Sequence, residues 1–139
     1  MTATRRNALT LTALLTLASC AAPAASGDDT VRVKLADDRI VLNPVSVPGG
    51  RIVFDTVNTA TALVHEIEVF AGATNGALLP VANSVADTTG LTLIDEIEDI
   101  IPGASANLTI DLIPGTYLVV CNLPTHYELG MWAYLTVTP

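Results

Sequence analysis

From residue 30 onward, the chain consists of short segments rich in Val, Ile, Thr and Leu that are separated by Pro, Gly, Asn and Asp. Residues 31–35, 51–58 and 62–70 alternate apolar with polar side chains. This period of two places successive side chains on opposite faces of a strand, and short strands between frequent turns are typical of all-β folds. The pattern predicts a small all-β sandwich of two sheets.

Two stretches do not follow this pattern. Residues 71–90 carry Gly, Ala, Asn and Thr without a clear period, and they are long for a loop. We therefore expect a short helix or an irregular segment within residues 71–90. Residues 91–101 fit either a helical stripe or a strand, and we favour a strand because Pro102-Gly103 follows it and its neighbours are strands.

Length and charge restrict the class of protein. A chain of 139 residues with 50% hydrophobic and 14% charged residues fits one globular domain. Its formal net charge of −8 would repel phosphates, so nucleic acid is not an expected partner. Two cysteines are too few for a disulfide framework. We expect a monomer.

Residues 1–19 resemble an export signal. Arg5 and Arg6 supply its basic start, and residues 8–18 form an apolar run that is too short to span a bilayer permanently. The sequence Leu17-Ala18-Ser19-Cys20 resembles the lipobox of bacterial lipoproteins, in which the Cys becomes the lipidated first residue. The alternative is an ordinary signal peptide in which the Cys occurs by chance. The two arginines are compatible with export by either the general or the twin-arginine system.

The lipoprotein motif predicts where the domain works. Residues 1–19 would be removed, Cys20 would carry the lipid, and residues 20–29 would form a flexible tether. The domain of residues 30–139 would then be exported and lipid-anchored to a bacterial membrane, facing the periplasm or the cell exterior. In that case Cys121 is a lone thiol in an exported protein, which usually indicates chemistry at the sulfur.

A run of soft metal ligands follows one predicted strand and precedes the last. Cys121, His126 and Met131 have the spacing Cys-x4-His-x4-Met. Thiolate, imidazole and thioether donors suit copper, and two imidazoles, a thiolate and a weak axial Met form the blue-copper electron-transfer site. The second imidazole must come from His65, because the chain has two histidines. The sequence therefore predicts one copper ion as cofactor.

These motifs resemble those of the cupredoxins, the superfamily of plastocyanin, azurin and rusticyanin. The resemblance covers most of residues 30–139, and the loop spacing is closer to that of rusticyanin than to the shorter plastocyanin loop. It implies a two-sheet Greek-key β-sandwich and the copper ligands His65, Cys121, His126 and Met131. The segments that carry it are Ile40, Val45-Ser46-Val47-Pro48-Gly49-Gly50, Arg51-Ile52-Val53-Phe54, Asn58, His65, and residues 114–121 with the loop that follows.

Two positions depart from the cupredoxin pattern. Many cupredoxins have Asn after the first His, where its side chain braces the ligand loop, and this chain has Glu66. Thr125 stands where many relatives have Gly before the second His. These departures affect the surroundings of the metal and its redox tuning, and they leave the ligand set intact.

The resemblance implies a one-electron carrier, and the alternative is a copper chaperone or copper-handling lipoprotein with the same ligands. An enzyme is not expected, because a thiol nucleophile would need a third orienting group and a multicopper oxidase many more histidines. Partners would be redox proteins, such as membrane cytochromes or oxidases, docking near His126. The apolar residues that could form this docking face are Leu123, Pro124, Leu129 and Trp132. We interpret the acidic residues of 95–99 as a solvated edge.

Overall fold

The computed structural model describes residues 29–139, which form eleven short strands and one helix of four residues. The predicted signal peptide of residues 1–19, Cys20 and the predicted tether up to residue 28 lie outside the described residues. Within residues 29–139, no helix has the length and hydropathy needed to cross a bilayer.

Nine of the strands, numbered in chain order, form two sheets that pack face to face. The first sheet has the strand order β2-β1-β4-β9. Its strands are β1 (Asp29–Leu35), β2 (Ile40–Asn43), β4 (Gly50–Asn58) and β9 (Ser105–Leu112). The second sheet has the order β3-β11-β10-β5-β8. Its strands are β3 (Ser46–Pro48), β5 (His65–Ala71), β8 (Thr92–Ile100), β10 (Gly115–Val120) and β11 (Trp132–Thr138).

The inner faces of the two sheets form the main core. Strand β1 shows why, because its apolar residues alternate with exposed ones and all point to one side. The members of the core with no exposed surface include Val31, Val33, Leu35, Ile52, Phe54, Ile67, Val69, Val119 and Leu135. The predicted all-β sandwich of two sheets is confirmed, and residues 91–101 contain a strand as expected.

The chain crosses repeatedly between the sheets. It runs from β8 in the second sheet to β9 in the first and back to β10 in the second. Such crossings give the Greek-key order that the resemblance implied. They also place β5 beside β10, with Glu68 opposite Val120, although the two strands are distant in sequence.

Residues 72–91, here called the strap, cover the outer face of the second sheet. They contain turns and two strands of two residues each, β6 (Val81–Ala82) and β7 (Val85–Ala86). An irregular segment was one of the two expectations for residues 71–90, and it is the one observed. The strap buries a second apolar cluster. Its buried members are Phe70, Ala86, Leu118, Val120 and Tyr127.

The helix, α1 (His126–Leu129), lies in the ligand loop, where the sequence did not predict one. Strand β5 begins at His65 rather than at residue 62, because the buried side chain of Asn58 holds a turn in front of it. The Asn58 amide donates to the carbonyl of Leu63 at 2.9 Å and accepts from the N–H of Ala60 at 2.9 Å. The same side-chain nitrogen of Asn58 also donates to the carbonyl of Ile100 at 2.7 Å.

Candidate metal centre

Strand ends bring the predicted ligands together at one end of the sandwich. His65 is the first residue of β5, and Cys121 directly follows β10. These strands are antiparallel neighbours, so the start of one lies beside the end of the other. His126 begins α1, and Met131 directly precedes β11, so both belong to the loop that links β10 to β11.

Three donor atoms form a compact triangle. The Nδ1 atoms of His65 and His126 are 3.2 Å apart. The Cys121 Sγ lies 3.2 Å from Nδ1 of His126 and 3.7 Å from Nδ1 of His65. A point equidistant from the three atoms lies about 2 Å from each, which is the distance typical of metal–imidazole bonds. The triangle therefore fits one small metal ion.

Burial sets the protonation of this cluster in the metal-free protein. His65 and Cys121 have no exposed surface, and His126 is half-buried. Burial raises the pKa of the Cys121 thiol to about 11. Burial lowers the pKa of His126, and it lowers that of His65 together with the nearby charge of His126. Both imidazoles are thus biased toward the neutral form, which is the form that binds metals.

Met131 closes the ligand loop. Its carbonyl accepts the N–H of Cys121 at 3.0 Å, and its own N–H donates to the carbonyl of His126 at 3.1 Å. The residue has no exposed surface and packs in the same apolar cluster as Cys121. These backbone bonds return the chain to the strand end from which it left, so Met131 lies beside Cys121 and His126.

Gly130 is required where the loop turns back toward Met131. Its φ of 109° lies in the region that favours glycine. A Cβ at this position would lie 2.8 Å from the carbonyl oxygen of Asp38, which belongs to the turn between β1 and β2. Glycine is therefore required at this turn for both a conformational and a steric reason.

The backbone conformation of Thr125 bears on its departure from the cupredoxin pattern. Its φ is 72° and its ψ is −18°, a left-handed conformation that a β-branched residue rarely adopts. Glycine takes this conformation without a steric penalty, which accounts for the Gly found in many relatives. Here the strained residue is held by a bond from its N–H to the carbonyl of Ser84 in the strap, at 2.7 Å.

Glu66, the other departure from the cupredoxin pattern, contacts the ligand loop directly. Its side-chain oxygen Oε1 accepts the N–H of Asn122 at 3.0 Å. Its own backbone N–H donates to the Sγ of Cys121 at 3.5 Å. A carboxylate thus occupies the place in which relatives use an amide, and it contacts the ligand loop. Burial raises the pKa of Glu66, whereas the bond from Asn122 opposes that shift.

The structure brings together the His65, Cys121 and His126 that the sequence singled out, with the three ligand atoms within 4.8 Å of one another. Two features near the site were not anticipated. Asn122 bonds to Ala86 through its side chain, and the strap holds the ligand loop from outside. Asn after the Cys is an available sequence signal, because Asn side chains bond readily to nearby backbone, but its partner could not be named.

Comparison with known proteins identifies the family to which the chain belongs. A family model for the sulfocyanin (SoxE) domain matches residues 43–139, which is more than half of the chain. The chain belongs to the sulfocyanin family. No curated protein sequence matches this sulfocyanin.

Solved structures with the same fold include two auracyanins and a rusticyanin. Auracyanin B aligns over 80% of the sulfocyanin chain and 89% of its own, with 26% identity and a TM-score of 0.60. Auracyanin A, described as a "blue" copper protein from Chloroflexus aurantiacus, aligns over 81% of this chain and 100% of its own, with 20% identity and a TM-score of 0.60. Rusticyanin from Thiobacillus ferrooxidans covers 81% of this chain and 79% of its own, with 19% identity and a TM-score of 0.56.

The family and the donor set together establish the cofactor class. The chain is a blue copper protein with the cupredoxin fold, and its cluster of two histidines and a cysteine supports one copper ion. Two imidazoles and a thiolate around one point match the trigonal donor set of blue copper sites.

Proposed function

We propose that this protein is a one-electron carrier that holds one copper ion through His65, Cys121, His126 and Met131. We further propose that it works outside the cytoplasm on a bacterial membrane. The observation that carries the redox proposal is the triangle of three ligand atoms, 3.2 to 3.7 Å apart, at the buried end of a rigid sandwich. Such a site changes little between oxidation states, because the strands and loop hold the ligands in place.

Each ligand has a distinct task in this proposal. His65 and His126 would hold copper through an imidazole nitrogen each, Cys121 through its thiolate, and Met131 through a weakly bound thioether that tunes the potential. Bound copper supplies the one-electron couple between Cu(I) and Cu(II). The burial of His65 and Cys121 keeps water from the donors, which favours electron transfer over ligand exchange.

The same burial separates electron transfer from copper delivery. A protein that hands copper to a partner needs a thiolate that the partner can approach, since metal transfer proceeds through exchange of ligands. Cys121 has no exposed surface, whereas His126 is half-buried and lies nearer to solvent. This difference supports a carrier that keeps its metal, with His126 as the place where electrons enter and leave.

A redox partner would dock around His126. Leu129 is 53% exposed and Pro124 is exposed, so both present apolar surface beside this ligand. Residues 52–139 include no Lys or Arg, and the formal net charge of the chain is −8, so the long-range field that a partner meets is acidic. Transient redox complexes bury small areas, and long-range attraction speeds their formation. We therefore expect a partner with an apolar centre and a basic rim.

The membrane location rests on the sequence around Cys20. A diacylglyceryl group on this Cys provides two acyl chains, which is enough for stable anchoring. The Ala-rich residues that follow would let the domain reach partners in the same membrane. Fractionation of cells that express the full chain would test this proposal, because the lipid-anchored protein should sediment with membranes.

Absorption and EPR spectroscopy of the domain with added Cu(II) would test the copper proposal. The wild-type protein should show an intense visible band from thiolate-to-copper charge transfer and a reversible one-electron wave in voltammetry. Cys121→Ala should lose the band, because the thiolate supplies the transition. A Cys121→Ala protein that kept the intense colour would falsify the ligand assignment. Irreversible voltammetry with rapid loss of copper to a chelator would instead favour copper handling.

A further inference from the structure

Cys121 is held from two sides by its neighbours in space and in sequence. The backbone N–H of Glu66 in β5 reaches its sulfur at 3.5 Å. The side chain of Glu66 accepts the N–H of Asn122, the next residue of the ligand loop, at 3.0 Å. One residue of β5 thus contacts both the sulfur and the backbone that carries it. We call Glu66 and Asn122 together the clamp.

Asn122 extends the clamp to the strap. Its side-chain oxygen accepts the N–H of Ala86 at 2.7 Å, and its side-chain amide donates to the carbonyl of the same residue at 3.3 Å. Ala86 is buried and lies in the short strand β7. The two bonds make the Asn122 side chain behave as an added strand partner. A displacement of the backbone at Cys121 and Asn122 would have to break bonds to β5 and to β7 at once.

Two further bonds hold the strap against the ligand loop. The N–H of Thr125 donates to the carbonyl of Ser84, and the N–H of Leu79 donates to the hydroxyl of Tyr127, each at 2.7 Å. The strap therefore contacts the loop on both sides of His126. These contacts explain why a segment without regular periodicity keeps one conformation over the outer face of the sheet.

The clamp also places charge beside the sulfur. Glu66 is half-buried, so the field of its carboxylate is screened less than that of a surface carboxylate. A neutral amide at position 66 would make the same hydrogen bond to Asn122 without this charge. Negative charge near a metal favours its more positive oxidation state.

We propose that Glu66 and Asn122 are positioning residues that lock Cys121, the source of the copper thiolate, between β5 and the strap. The carboxylate of Glu66 also favours Cu(II) over Cu(I). This inference rests on the proposed copper function. Groups that orient metal ligands from outside the coordination shell typically change metal affinity about 10–100-fold when they are removed.

Three substitutions separate the effect of the hydrogen bonds of the clamp from the effect of the Glu66 charge. Glu66→Gln keeps an oxygen for the N–H of Asn122 and removes the charge, so the visible band should persist while the reduction potential rises. Glu66→Ala removes both, so the potential should rise and the band should also shift or broaden. Asn122→Ala frees the loop from Ala86, and copper affinity should fall about 10–100-fold with the charge of Glu66 still present.

Glu68→Gln is the matched control. It removes a carboxylate from the same face of the same strand, and Glu68 makes no hydrogen bond to the ligand loop among the bonds found in residues 29–139. Its potential should rise less than that of Glu66→Gln, and its band should be unchanged. Potentials that do not differ between Glu66→Gln and the wild type at pH 8 would overturn the electrostatic part of the proposal.

Hydrogen exchange of the copper-free protein tests the clamp without any metal. The amide of Asn122 should exchange at least tenfold faster in Glu66→Ala than in the wild type, and Glu66→Gln should restore most of the protection. Equal exchange in all three proteins would overturn the positioning role. If the wild type binds no copper but shows this exchange pattern, the proposed function fails and the clamp stands.

Discussion

Replacing Glu68 by Gln should stabilise the copper-free protein at pH 8 and change its stability little at pH 4.5. Glu68 is half-buried, and its Oε2 atom is enclosed without a hydrogen-bond partner among residues 29–139. Burial raises the pKa of this carboxyl to about 7, with smaller contributions from the neighbouring Glu66, Glu96 and Glu98. The folded protein therefore favours the protonated form of Glu68.

The sign and size of the effect follow from that pKa. The ordinary value is 4.5, so the unfolded chain loses this proton at lower pH than the folded protein does. The favourable contribution of the protonated carboxyl is present below pH 4.5 and is lost as the pH rises through about 7. The difference between the two values corresponds to at most about 3.4 kcal/mol. Because the side chain is only partly buried, screening by solvent reduces this to about 1–2 kcal/mol.

Urea unfolding of the copper-free wild type and of Glu68→Gln at pH 4.5 and pH 8 would measure the effect. Asp111→Asn is a charge-matched control at an exposed position in β9, and it should change the unfolding free energy by less than about 0.5 kcal/mol. A Glu68→Gln variant that is no more stable than the wild type at pH 8 would refute the reasoning. Equal stabilisation at both pH values would refute it as well, since titration of Glu68 would then play no part.

The remaining predictions concern the ligand loop and the anchor. Met131→Leu should keep its copper and colour and raise the reduction potential, because loss of the axial thioether favours Cu(I); outright loss of copper would show that Met131 is a strong ligand. Thr125→Gly should raise the unfolding free energy in urea by about 0.5–1 kcal/mol, since relief of the left-handed strain exceeds the entropy cost of glycine; a destabilised variant would contradict this. Copper binding should release the proton of the Cys121 thiol, so the apparent affinity for copper should rise about tenfold per pH unit between pH 7 and 9. A copper affinity that does not change with pH would exclude a protonated thiol in the metal-free protein. Cys20→Ser should leave the protein unprocessed or release it from membranes, whereas soluble wild-type protein that begins after a residue other than Cys would contradict the anchor.

The positions of most strands could be predicted from the sequence, because alternation of apolar and polar residues is a local property. Strand β4 was expected at residues 51–58 and lies at Gly50–Asn58. The errors occur where a distant contact overrides the local pattern. Residues 62–64 continue the alternation of β5, yet the amide of Asn58 holds them in a turn. The helix α1 was not predicted because it has only four residues, about one turn, and a helical period of apolar residues cannot be recognised over so short a segment.

The candidate copper ligands were available from the sequence for a chemical reason. Soft donors at Cys121, His126 and Met131 follow one another in a single loop, and the chain offers only one further His. The type of metal follows from such a donor set, whatever the tertiary structure. What the sequence could not supply is the distance between the donors, because His65 reaches the site through the pairing of β5 with β10.

The surroundings of the site were decided by tertiary structure alone. The sequence determined that the chain alternates as strands, that it carries one set of copper donors and that Glu66 and Thr125 depart from the cupredoxin pattern. It could not show that Glu66 bonds to Asn122, or that Asn122 bonds to Ala86, because these pairs are 56 and 36 residues apart. Such bonds depend on strand register and on the path of the strap, and both are set by burial of apolar surface across the whole domain rather than by any local signal.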